Sequence, residues 1–167
     1  MSVSAKDLQP DLQGWDGRAK APLEAILDQY GDRPGLQNAL YVLCDAPDCV
    51  DAATWCLKRL ADKGADLPGF APVAKAATRA PGWAAKLHVL QIIVQHGALA
   101  EPSDLETLSR QAIASKKPMV RAWGYAGLDV FAQRHPDAAP AVAAMLARAR
   151  QTETAGSVLA RLRKCKH

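Results

Sequence analysis

An all-α fold follows from three features of this 167-residue sequence. Ala and Leu dominate its apolar residues, only 5% of residues are aromatic, and the alternating Val, Ile, Thr and Tyr of a β-sandwich are missing. Pro and Gly cut the chain into pieces of helical length, within which apolar residues recur at helical spacing. One stretch of the chain also matches a later stretch at a constant offset. Alanine suits such a fold because its methyl group loses no rotamer entropy in a helix and lets neighbouring backbones approach closely.

The elements follow in order. The stretch up to Gly17 has weak periodicity and reads as a loosely packed start. Pro22 suits a first helical turn, where its missing N–H is not needed, and Leu23, Ile26, Leu27 and Tyr30 follow before Gly31. Pro34 opens a short helix carrying Leu36, Leu40 and Leu43. Asp45 and Pro47 read as the N-cap and first turn of a helix with Val50, Trp55, Leu57 and Leu60, ending at Gly64. Pro68 begins a piece with Phe70, Val73 and Ala77, which Pro81-Gly82 breaks. Trp83 leads into Leu87, Leu90, Ile93 and Val94, a strongly apolar helix ending at Gly97. Ser103 and Glu106 match a capping box ahead of Leu105, Leu108 and Ile113. Pro118 starts a helix with Val120, Trp123, Leu128 and Phe131, and Pro136 ends it. Pro140 opens another with Val142, Met145 and Leu146, and a last helix over Thr154–Lys166 carries Val158 and Leu162. About eight or nine helices with short connections predict antiparallel neighbours.

Internal similarity ties these pieces together. At an offset of 38 residues Leu90 matches Leu128, Gln95 matches Gln133, Pro102 matches Pro140, Leu108 matches Leu146 and Arg110 matches Arg148. At an offset of 33, Leu57 matches Leu90 and Gly64 matches Gly97. A helix pair of this length cannot bury both faces alone, so such units stack and share a core.

The segment Val120-Arg121-Ala122-Trp123-Gly124-Tyr125-Ala126-Gly127-Leu128, followed by Phe131, resembles a HEAT-repeat helix. The Val-Arg pair, the small residues Gly124 and Gly127 at the helix contact, and the following Leu carry the likeness, which extends over 46–164. The family often has an Asp shortly before the Val-Arg pair, where this chain has Ser115, Lys116 and Lys117. The resemblance implies an α-α superhelix, a HEAT-like (or armadillo-type) repeat solenoid of stacked antiparallel helix pairs. Residues 1–167 then form one domain, with N-terminal helices in 18–45, helix pairs in 46–81, 82–117 and 118–152, and a C-terminal capping helix in 153–167.

Charge is uneven. The stretch Met1–Asp66 holds seven Lys/Arg against eleven Asp/Glu, whereas Lys116–His167 holds ten against three. No apolar run is long enough for a membrane span, and the N-terminus lacks the pattern of a secretory signal, so the expected compartment is the cytoplasm. Cys44, Cys49, Cys56 and Cys165 lack the C-x-x-C spacing of a zinc site and read as small buried thiols. His88 and His96 lie eight apart with no third ligand at suitable spacing, and no nucleophile elbow, phosphate loop or dinucleotide glycine pattern occurs. Neither a catalytic residue nor a cofactor or metal is expected.

The HEAT-like resemblance implies a non-catalytic scaffold that binds a protein partner along a curved surface. The candidate interaction residues are Arg110 and Arg148, at equivalent repeat positions, with Arg121, Arg161, Arg163 and Lys164 from the basic end. An alternative is nucleic-acid or phosphate binding by that basic end, with Trp123 and Tyr125 adding stacking. Trp123 nevertheless has the register of a core or half-core position. HEAT-like folds also include alkylpurine DNA glycosylases, which set a carboxylate near aromatic residues; Trp123 and Asp129, with Trp83, resemble that pairing loosely. Self-association is a further expectation, because the last helix has no following partner for Val158 and Leu162.

Overall fold

Prolines and glycines set the helix boundaries in the computed structural model, which describes residues 1–167. The helices are α1 (Ala5–Leu12), α2 (Ala21–Tyr30), α3 (Leu36–Leu43), α4 (Val50–Asp62), α5 (Ala71–Arg79), α6 (Ala84–His96), α7 (Pro102–Ile113), α8 (Pro118–Arg134), α9 (Ala139–Thr152) and α10 (Gly156–Leu162). A 3₁₀ turn, Pro136–Ala138, precedes α9, and the chain has no strand. Proline opens the first turn of α2, α5, α7, α8 and α9, where a missing N–H costs nothing. Gly97 closes α6 in the left-handed region at φ +71°, which side chains with a Cβ rarely enter. At the Pro81-Gly82 break the Lys86 ammonium reaches back to the carbonyls of Ala77, Ala80 and Gly82, at 3.3, 2.7 and 3.3 Å.

Four expectations are corrected. The N-terminal stretch is not loosely packed. It forms α1, whose Leu8 and Leu12 are fully buried, and it raises the count to ten helices. Asp7 accepts from the Ser4 amide and hydroxyl at its start, and the Val3 amide donates to the Pro34 carbonyl. Its period was weak because the helix has only eight residues and contains Pro10. The Ser103–Glu106 capping box does not form, because the helix already begins at Pro102; Glu106 accepts from Arg110 instead. Cys49, not Asp45, is the N-cap residue of α4, and Asp45 pairs with Arg79 across 3.0 Å. The last helix is shorter than Thr154–Lys166, running from Gly156 to Leu162.

The even-numbered helices lie side by side in chain order: α2 on α4, α4 on α6, α6 on α8 and α8 on α10. The odd-numbered helices cover them, with α3 on α4, α5 on α6, α7 on α8, and α9 on both α8 and α10. Flanked on several sides, α6 has few polar positions, and α8 buries Val120, Trp123, Leu128 and Phe131. One continuous core joins all ten helices. No helix is long and apolar enough to cross a membrane.

Helices α7 and α8 pack tightly, and Gly124 and Gly127 allow it. A Cβ on Gly124 would stand 2.8 Å from the Ile113 side chain and backbone nitrogen, and one on Gly127 would stand 2.7 Å from Leu90 Cδ2 and meet the Ser109 hydroxyl. These are the small positions that the repeat resemblance marked. Polar rungs also join the helices at similar intervals. The Ala85 amide donates to Asp51, Thr54 meets His88 and Asp62 meets His96, each 34 residues apart. Asp129 accepts from the Lys166 amide, 37 residues on.

Candidate interaction face

Trp83, Leu87, Gln91 and Val94 fall at spacings of four, four and three along α6, so they share one face of that helix. This stripe is common to two clefts. A front cleft of about 460 Å³ lies between it, α4 and the α1–α2 connection. A back cleft of about 240 Å³ lies where Val94 meets α8 and the residues after α10.

The front cleft gathers three of the four tryptophans in the chain: Trp15, Trp55 and Trp83. The Trp15 indole N–H donates to the Ala19 carbonyl at 2.6 Å, fixing the ring 6.4 Å from Trp55 and 6.5 Å from the His88 imidazole, centroid to centroid. His88 is buried, with Nδ1 3.0 Å from the Thr54 hydroxyl. Burial, aided by the positive charge of Lys58, pulls its pKa down to about 4, so it faces the cleft as a neutral ring. Lys58 pairs with Asp62 at 2.6 Å, and Arg59 lies 5.9 Å over the Trp55 ring and 3.7 Å from Glu24. Trp83 is 40% exposed, with the Lys117 ammonium 4.6 Å above its ring centre. Lys20 and Gln91 complete the lining, and their side chains bond to no other residue.

The back cleft is organised around a buried carboxylate. Asp129 accepts from Gln133 at 2.8 Å, from the backbone amides of Lys166 and His167 at 3.0 Å each, and contacts His167 Nδ1 at 2.9 Å. Arg150 holds the same terminal segment by donating to the Leu162 and His167 carbonyls, at 3.2 and 2.7 Å. The Arg161 guanidinium stacks 3.8 Å over the Trp123 ring, which is itself buried.

The sequence candidates separate into distinct groups. Arg161 and Lys164 line the back cleft. Arg121 forks onto Glu153 at 2.8 and 3.0 Å and reaches the Ser115 and Lys116 carbonyls, both at 3.1 Å. Glu153 comes from the α9–α10 connection, and its pKa is lowered by that hydrogen bond. Arg110 and Arg148 lie on α7 and α9, in the odd-numbered row; Arg110 pairs with Glu106 at 2.9 Å and Arg148 is exposed. Arg163 is exposed just past α10. The front-cleft set of Trp15, Trp55, Trp83, Lys20, Lys58 and Gln91 was not singled out from the sequence. One local signal was available, since Lys58 and Arg59 stand three and four residues after Trp55 and therefore share its helix face.

The remaining chemistry-bearing residues are dispersed. Cys44, Cys49 and Cys56 are buried, and burial raises all three thiols, Cys49 to about 11 and Cys56 to about 12. His88 and His96 turn to separate partners, Thr54 and Asp62, and no three His, Cys, Asp or Glu side chains are grouped to hold a metal ion. Trp123 and Asp129, six apart on α8, project about 120° from one another, and both Asp129 oxygens are already bonded within the chain. Comparison with protein-family models, with curated proteins and with solved structures gives no match to this chain.

Proposed function

We propose that the chain is a HEAT-like solenoid of stacked helix pairs, acting as a non-catalytic scaffold that holds a macromolecular partner on the face of its even-numbered helices. One observation carries the reading: along that row a cation lies against an indole three times, over the buried rings of Trp55 and Trp123 and over the exposed ring of Trp83. Arg59 lies over Trp55 from α4, Lys117 over Trp83 at the start of α6, and Arg161 over Trp123 from α8. Tryptophan and arginine are enriched where partners bind, because tryptophan brings a large rigid contact area and arginine a planar fork of directed donors. Polar rungs at separations of 34 to 38 residues, near the sequence offsets of 33 and 38, support the stacked-pair arrangement. The reading keeps the scaffold and moves its surface away from Arg110 and Arg148.

The test is a pull-down from host lysate with three proteins, each with and without nuclease. They are the wild type, an even-row variant Lys20→Glu/Lys164→Glu and an odd-row variant Arg110→Glu/Arg148→Glu. All four positions are exposed, so each variant should keep its fold. The partner should be lost from the even-row variant and kept by the odd-row variant. Retention by the even-row variant, or loss from the odd-row variant alone, overturns the assignment.

A further inference from the structure

We infer that the front cleft is a site for single-stranded nucleic acid, where a base stacks on Trp83 and phosphates are met by Lys20 and Lys117. This rests on the scaffold reading and names the partner class. Trp83 is the one tryptophan with a substantially exposed ring, and its partner is a flexible lysine. An ammonium over an indole face occupies the place where a base would stack. A base entering there frees Lys117 for the phosphate attached to it, so the two contacts replace one.

The remaining lining fits the same ligand. Glu24 is the only acid lining the cleft; Arg59 pairs with it and Lys58 with Asp62, which leaves the unpaired Lys20 to meet a phosphate. The Gln91 amide, unpaired within the chain, offers both a donor and an acceptor to a base edge, beside the neutral His88 ring. The cleft, at about 460 Å³, has the size of a site for one small planar group. A duplex keeps its base faces stacked internally and cannot present them to Trp83, so the strand must be single. The stripe from Trp83 to Val94 runs about 16 Å along α6 and continues into the back cleft, where Arg161, Lys164 and Lys166 extend the positive track. An acidic peptide would also meet the lysines, so polyglutamate is the control that separates charge from base stacking.

The probe is a short oligo(dT), titrated against the intact chain and followed by tryptophan fluorescence, beside a duplex of equal length and polyglutamate. Quenching by the single strand should exceed that by either control, and affinity should fall steeply with salt. Each phosphate contact contributes about −0.7 to the slope of log affinity against log salt. Trp83→Leu should weaken binding by about tenfold or more with an unchanged melting curve, and Lys20→Ala should flatten the salt slope by about one contact. No binding of oligo(dT), equal binding of duplex or polyglutamate, or wild-type affinity in Trp83→Leu overturns the inference. If oligo(dT) fails while Lys20→Glu/Lys164→Glu still loses a nuclease-resistant partner, the scaffold reading stands and this inference falls. If that variant also keeps its partner, both fall.

Discussion

The two clefts that share α6 are made from matching parts and finished differently. Each sets a cation over a tryptophan, and each has a polar residue at positions 38 apart in the sequence. The offset of 38 that takes Leu90 to Leu128 takes Gln91 to Asp129. At the back the equipment is consumed by the chain itself: Asp129 is saturated by Gln133, Lys166 and His167, and Arg161 sits over a buried ring. At the front, Gln91 and Lys20 have no partner and Lys117 lies over an exposed ring. Equivalent positions therefore carry different duties. The polar groups of the back cleft are bonded within the chain, whereas Gln91 and Lys20 of the front cleft are not.

The largest expected effect tests what the clefts have in common. Leu90 on α6 and Leu128 on α8, 38 residues apart, are both fully buried. Leu90→Asp and Leu128→Asp each place a carboxylate with no counter-charge in that core, a change of the class that exceeds about 4 kcal/mol. Both variants should lose the cooperative helical transition in circular dichroism melts. A wild-type melting temperature in either one would show that the two positions are not equivalent parts of one core.

The next effect belongs to the front cleft alone. His88 ionises at about 4 in the fold, against 6.5 ordinarily, because burial penalises its charge. Above 6.5 the imidazole is neutral in both states and its contribution is fully present. As pH falls from 6.5 toward 4 the unfolded chain takes up the proton first, so stability is progressively lost, by on the order of 3 kcal/mol from this group. Urea denaturation at pH 7.5 and 4.5 measures the loss, and His88→Gln should remove most of it. An equal loss in His88→Gln would assign the acid sensitivity to other groups.

These contrasts explain what was legible in the sequence. Helix boundaries were readable because Pro102, Pro118 and Gly97 act locally, through a missing N–H or a left-handed φ. The first helix was not, since eight residues containing Pro10 hold too few periods to register. Gly124 and Gly127 were recognised as small contact positions and do stand at the tight α7–α8 contact. The interaction face was harder. Density of charge pointed to the basic end and the 38-residue offset to Arg110, but neither reveals which arginines are spent, as Arg121 is on Glu153 and Arg110 on Glu106. The front cleft draws Trp15, Trp55 and Trp83 from three separated segments, in the half of the chain where Asp and Glu outnumber Lys and Arg. No local spacing announces a set that only the packing of α4 against α6 assembles.

The smallest effect addresses the difference between the clefts most directly. Asp129→Asn keeps the shape of the side chain but removes the charge that gathers the Lys166 and His167 amides. Hydrogen bonds to a charged acceptor contribute about 1.5–3 kcal/mol, and the loss should fall in that range. The loss should be accompanied by faster amide hydrogen exchange at Lys166 and His167, while exchange in α4 stays unchanged. Gln91→Leu at the matching register should cost less than about 0.5 kcal/mol, because no bond is broken and the side chain is only part-buried. If the two variants are equally destabilised, Gln91 has an internal duty after all, and the front cleft is as closed as the back one. If Asp129→Asn is the costly one and Gln91→Leu impairs only oligo(dT) binding, two positions 38 residues apart divide the work, Asp129 holding the structure together and Gln91 free for a ligand.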